Sequence, residues 1–79
     1  MMNPPKSDMH ERLREFLITY KFTRCTYSPL IGTLTCFDGW DAFEKMDFTP
    51  GTEFYQAWDQ LETDLMMNKF TEFCDINIT

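Results

Sequence analysis

Thr19-Tyr20-Lys21-Phe22-Thr23-Arg24-Cys25-Thr26-Tyr27 and the residues that follow it decide the fold. The run is dense in β-branched and aromatic side chains, which pack well on a pleated surface. Ser28-Pro29-Leu30-Ile31-Gly32 then places Pro and Gly at turn positions. Thr33-Leu34-Thr35-Cys36-Phe37 alternates polar and apolar residues up to Phe37. Two strand-like runs across a five-residue connection read as a β-hairpin.

Upstream, Ser7 is a good N-cap and Asp8 suits the positive end of a helix. Met9, Leu13, Phe16, Leu17 and Tyr20 recur at i, i+4, i+7, i+8 and i+11, one apolar stripe of an amphipathic helix. Glu11, Arg12, Arg14 and Glu15 occupy its other face, and Asp8 lies four residues before Arg12, the better orientation for an ion pair. Helix gives way to strand within residues 18–22, where local propensity does not choose a boundary. Residues 1–6 carry two prolines and little to bury, which reads as a mobile tail ahead of a single domain spanning 7–79.

Downstream, Asp38-Gly39 ends the second strand. Asp38 can cap a short helix in which Trp40, Phe43 and Met46 fall at i, i+3 and i+6. Asp47-Phe48-Thr49-Pro50-Gly51 reads as the next loop. Thr52, or Thr49 with Pro50 at the first helical position, caps the longest helix, with Phe54, Ala57, Trp58, Leu61 and Leu65 as its stripe. The C-terminal run from Phe73 alternates again, so that Cys74, Ile76 and Ile78 share one side of a strand added to the hairpin. The expected architecture is a small α+β domain in the order α-β-β-α-α-β, a three-stranded antiparallel sheet with helices packed on one face.

At 79 residues the chain suffices for one domain. Its 43% hydrophobic and 16% aromatic content argues against disorder. The net charge of −6, from 13 acidic and 7 basic residues, argues against direct nucleic-acid binding and against an anionic membrane surface, since both need Lys and Arg. No apolar run approaches the roughly 20 residues needed to cross a bilayer. Met1-Met2-Asn3-Pro4-Pro5-Lys6 lacks the apolar core of a signal peptide. Three cysteines, an odd number without a Cys-x-x-Cys, fit a reducing compartment. The expected localisation is cytoplasmic.

Catalytic and metal signatures are lacking in the sequence. Cys25, Cys36, Cys74 and His10 are zinc-ligand types, but their spacing is no zinc motif, and such cysteines commonly serve as small buried apolar residues. The single His has no nucleophile elbow to serve. Asp38-Gly39-Trp40-Asp41 does not match a calcium loop, and the three glycines, at 32, 39 and 51, make no phosphate-binding loop. The expectation is a protein that is not an enzyme and that holds no cofactor or metal.

Charge is unevenly spread. Residues 1–37 carry three acids and five bases, for +2; residues 38–79 carry ten acids and two bases, for −8. Asp38, Asp41, Glu44 and Asp47 recur every third residue, and Glu53, Asp59, Glu62 and Asp64 continue the run with only Lys45 among them. One reading is a solvated face that keeps an aromatic-rich chain soluble. The other is a negative surface that occupies a positively charged groove in place of nucleic acid. Most aromatics of this segment belong in the core of so small a domain. Tyr55 lies off the stripe of Phe54 and Trp58, and Phe48 sits in the loop beside Pro50, so these two are the interface candidates, with Tyr27 and Leu30 at the hairpin tip behind them.

Short, acidic and aromatic-rich, with reduced cysteines and no catalytic signature, the chain resembles small virus-encoded inhibitor proteins, including anti-CRISPR proteins. No residue is carried over from that resemblance. The expected function is a stoichiometric protein-binding module of the host cytoplasm. It would dock a negative surface into the basic, nucleic-acid-binding groove of a larger protein or complex, as a monomer or weak homodimer. Asp38, Asp41, Glu44, Asp47, Asp59 and Glu62 would steer and pair, and Phe48 and Tyr55 would anchor. The alternative is a structural or assembly protein that uses its aromatic surface or a free sheet edge to associate with itself.

Overall fold

A computed structural model of the chain describes residues 5–67 and 74–78. In chain order it contains α1 (Pro5–Tyr20), β1 (Arg24–Ser28), β2 (Thr33–Asp38), β3 (Asp41–Glu44), a 3-10 turn (Lys45–Asp47), α2 (Glu53–Met67) and β4 (Cys74–Asn77). The strands form one antiparallel sheet in the order β3-β2-β1-β4. The α+β class and the helices on one face hold; the sheet has four strands where three were expected. Residues 1–4 of the expected tail lie outside the described residues, and α1 opens at Pro5, ahead of the expected Ser7 cap. Proline is well suited to a first helical turn, where its missing N–H has no intrahelical acceptor.

The end of α1 explains why residues 18–22 were ambiguous. Lys21 adopts φ +64°, the left-handed conformation, and the Phe22 N–H donates to the Leu17 carbonyl at 2.9 Å. A six-to-one bond around one left-handed residue is a Schellman closure, usually built on glycine. It turns the chain so that the Phe22 ring folds back on Phe16, with centroids 6.4 Å apart. The helix therefore runs through Tyr20 despite its β-prone residues.

One face of the sheet meets both helices. Cys25 and Tyr27 of β1 and Leu34 and Cys36 of β2 alternate into a core that also holds Met9, Leu13, Phe16 and Leu17 of α1, Phe22, and Trp58, Leu61 and Leu65 of α2. Tyr27, expected as a contact residue at the hairpin tip, is buried because it follows Cys25 by two and must share its face. Leu30, in the turn itself, is 92% exposed. The opposite face of the sheet carries Thr26, Thr35, Glu44 and Asp75, with Phe37 and Ala42 among them. In β4, Ile76 sits opposite Cys25, and Ile76 and Ile78 pack against the core as the expected alternation requires.

The segment after Asp38 is the main correction to the expected fold. It is a strand, β3, with Asp38 opposite Asp41, Phe37 opposite Ala42 and Cys36 opposite Phe43. Only two residues, Gly39 and Trp40, connect the strands. Gly39 has φ +65° and Trp40 does not share the positive value, the signature of a type II′ hairpin turn. A Cβ at Gly39 would touch nothing within 4 Å, so glycine is needed there for its backbone and not for space. Pairing wins over a short helix because it puts the Phe43 ring against the aromatic core, 6.3 Å from Phe22 and 5.7 Å from Phe48. Among the described residues, no helix is long and apolar enough to cross a membrane.

Candidate functional site

The acidic segment divides into two regions with different tasks. The first is built around Leu34. Strand β3 ends at Glu44, so the backbone of Leu34 faces the place where a further β3 residue would have paired. Helix α2 fills it with side chains. Trp58 Nε1–H donates to the Leu34 carbonyl at 3.3 Å, and the Leu34 N–H donates to Glu62 Oε2 at 2.9 Å. Trp58 and Glu62 are four apart on α2 and therefore lie on one side of it. Thr52 starts that helix as expected: its hydroxyl accepts from the Tyr55 N–H at 3.2 Å.

The same side of α2 also holds Lys45. Its ammonium pairs with Asp59 and, at 3.3 Å, with Glu62 Oε1, and it lies 5.6 Å from the centre of the Tyr55 ring. Asp59 hydrogen bonding raises the Lys45 pKa above its ordinary value; burial opposes it and Glu62 adds to it. The side chain of Glu62 is only 15% exposed. Burial pushes the Cys36 thiol well up, and the neighbouring Cys25 and Glu62 push in the same direction. Tyr27 is raised by burial first and by Glu62 second. Asp64 pairs with Arg12 of α1 at 2.6 Å and accepts from Gln60 at 3.0 Å.

The second region is the β2–β3 hairpin. Trp40 at its tip is 98% exposed. The carboxylates flanking the turn, Asp38 and Asp41, are both exposed and directly opposite across the strands. Like charges directly opposite each other destabilise a sheet. Glu44 is exposed at the end of β3, and its N–H donates to Asp47 Oδ2 at 2.7 Å, which closes the 3-10 turn. Asp47 thus shapes the chain as well as charging it.

Beside this hairpin lies an open groove of about 390 Å³, lined by Tyr20, Phe22, Phe43, Phe48, Phe54 and Asp38. Its rings support one another. Phe48 meets Phe54 edge-on at 4.7 Å, Tyr20 lies 4.8 Å from Phe54, and Phe22 stacks on Phe54 at 6.2 Å. The fully buried Trp58 underlies them, 5.4 Å from Phe48 and 5.6 Å from Phe54. Edge-to-face and tilted contacts at these distances are the favourable aromatic geometries. The groove floor is therefore fixed by the core.

Of the residues singled out in the sequence, Asp38, Asp41 and Glu44 gather on the hairpin, with Asp47 at its base. Phe48 lines the groove. Tyr55, Asp59 and Glu62 converge on Lys45. Trp40 was read as a helix-stripe residue and stands instead at the tip of the turn; the signal was Gly39-Trp40 as a two-residue connection. Among the described residues, no three His, Cys, Asp or Glu side chains come together as a metal site would require. The Cys74 side chain lies outside the description. No protein-family model, curated protein or solved structure matches the chain.

Proposed function

We propose that this protein is a non-enzymatic, stoichiometric inhibitor. It docks the β2–β3 hairpin into a basic, nucleic-acid-binding groove of a larger protein, in the manner of small virus-encoded anti-defence proteins. The observation that carries the reading is Trp40, 98% exposed between two carboxylates that face each other across the strands. None of these three groups helps the isolated fold: the ring is in water and the charges repel. A basic surface would remove the repulsion, and Trp40 would supply the aromatic anchor that dominates many interfaces. Asp38, Asp41 and Glu44 steer the approach. Phe48 presents the groove wall, and Asp47, Tyr55, Asp59 and Glu62 hold the surface in shape.

The test is capture from host lysate by the wild-type chain and by the triple variant Asp38→Lys, Asp41→Lys, Glu44→Lys. A partner released by rising salt and by added DNA or RNA, and lost in the variant, is the expected result. Capture that survives both the reversal and nucleic-acid competition would defeat the reading.

A further inference from the structure

We infer that the aromatic groove beside the hairpin receives an arginine side chain of the partner, its guanidinium against the rings and its N–H groups on Asp38. This rests on the docking reading above and names the chemistry the partner must bring. Five rings and one carboxylate line the groove, and none of these lining residues is basic. Ring faces carry negative quadrupole potential and attract cations. Asp38 adds a full charge at the groove, and Asp41, opposite it, shares that face of the sheet.

The chain holds two of its own cations in this way. The Arg24 guanidinium lies 4.6 Å from the centre of the Phe37 ring and makes two parallel bonds to Asp75, at 3.0 and 3.1 Å. Lys45 is held by the Tyr55 ring with Asp59 and Glu62. The groove repeats the combination of ring and carboxylate with no cation of its own among the lining residues. Arginine suits it better than lysine, because a flat, weakly hydrated guanidinium can stack on a ring and fork onto a carboxylate together. An apolar side chain would cover the rings but would also strip water from Asp38 without replacing it.

The experiment titrates the full 15N-labelled chain with three blocked tripeptides, Gly-X-Gly, where X is arginine, citrulline or norleucine. Citrulline keeps the shape of arginine and lacks its charge. The arginine peptide should shift the amide signals of Asp38, Phe43, Phe48 and Phe54 saturably, with citrulline about tenfold weaker. Asp38→Asn should weaken the arginine peptide by about tenfold, the scale of one charge-assisted hydrogen bond. Phe48→Leu keeps an apolar wall without a ring face and should weaken it about threefold. Equal responses to arginine and norleucine, shifts confined to other residues, or no shift at tens of millimolar would each overturn the inference. No partner is needed, so the two ideas fail separately. If hairpin reversal abolishes capture while the arginine peptide ignores the groove, the arginine assignment alone is wrong.

Discussion

On α2, Asp59, Glu62 and Asp64 each meet a cation, and Glu62 also meets a backbone donor; on the β2–β3 hairpin, Asp38 and Asp41 meet each other. The residue types are the same and the segments are neighbours in sequence. What differs is the geometry that each element imposes. A helix brings positions three and four apart to one side, where a single lysine can serve Asp59 and Glu62 together. A two-residue turn sets its flanking residues face to face, whatever their charge. Net charge therefore says little about role: acids of the helix hold the fold, and those of the hairpin tip work against it. Stability and binding should respond to different substitutions.

Trp58→Ala tests the first region most severely. It should cost about 3–5 kcal/mol, because it empties the centre of the core and leaves the Leu34 carbonyl without its donor. Urea unfolding measures it; a loss below about 1 kcal/mol would mean that the core does not turn on this ring. Glu62→Ala should cost about 1–3 kcal/mol, since the Leu34 N–H and Lys45 both lose an acceptor. Glu62→Gln keeps an acceptor for the amide and should recover part of that loss. Full recovery would show that the acceptor matters and the charge does not.

Alkaline pH probes the same region. Cys36, Tyr27 and Lys45 are all raised above their ordinary values of 9.0, 10.0 and 10.5. The folded chain thus holds these protons more tightly than the unfolded chain. Their contribution is complete below the unfolded values and is lost as pH rises through the folded ones. The urea midpoint should fall above about pH 9, with Cys36 first, and in Cys36→Ala the first part of that fall should be smaller. A midpoint that rises over this range would contradict the assignment.

The smallest stability effects belong to the hairpin, where the binding effects should be largest. Asp38→Asn should stabilise by a few tenths of a kcal/mol by relieving the repulsion with Asp41. Trp40→Ala should leave stability within about 0.5 kcal/mol of wild type. Both should reduce partner capture. A hairpin substitution that lowers stability by as much as Glu62→Ala would erase the contrast between the regions.

Much of the framework was legible because its signals are local. Thr52 caps α2 through its own hydroxyl, the stripe of Trp58, Leu61 and Leu65 reaches the core, and the alternation of β1, β2 and β4 sets their faces. The end of α1 was not legible, because Lys21 does the work that a glycine would have announced. Strand β3 was missed because Asp-Gly is both a helix-cap signal and a hairpin turn. Trp40, Phe43 and Met46 also happen to fit a helical spacing. Pairing of Phe43 with Cys36 decides the matter, and that contact is set by the sheet rather than by near neighbours. The acidic concentration was visible in the sequence. Its division into braced and unbraced halves depends on where Lys45 and Arg12 arrive in space.

Cys25 and Cys36 face each other on β1 and β2, and both side chains are buried. Both point into the layer between the sheet and the helices, so a thiol reagent can reach them only while that layer is open, and it attacks the thiolate, which burial disfavours at Cys36. In a chain with Cys74→Ser, chemical labelling then becomes a clock for separation of the helices from this face of the sheet. Both sulfurs should be modified in step. Their rate against urea concentration would tell whether the centre of the sheet opens by itself or only when the whole domain comes apart.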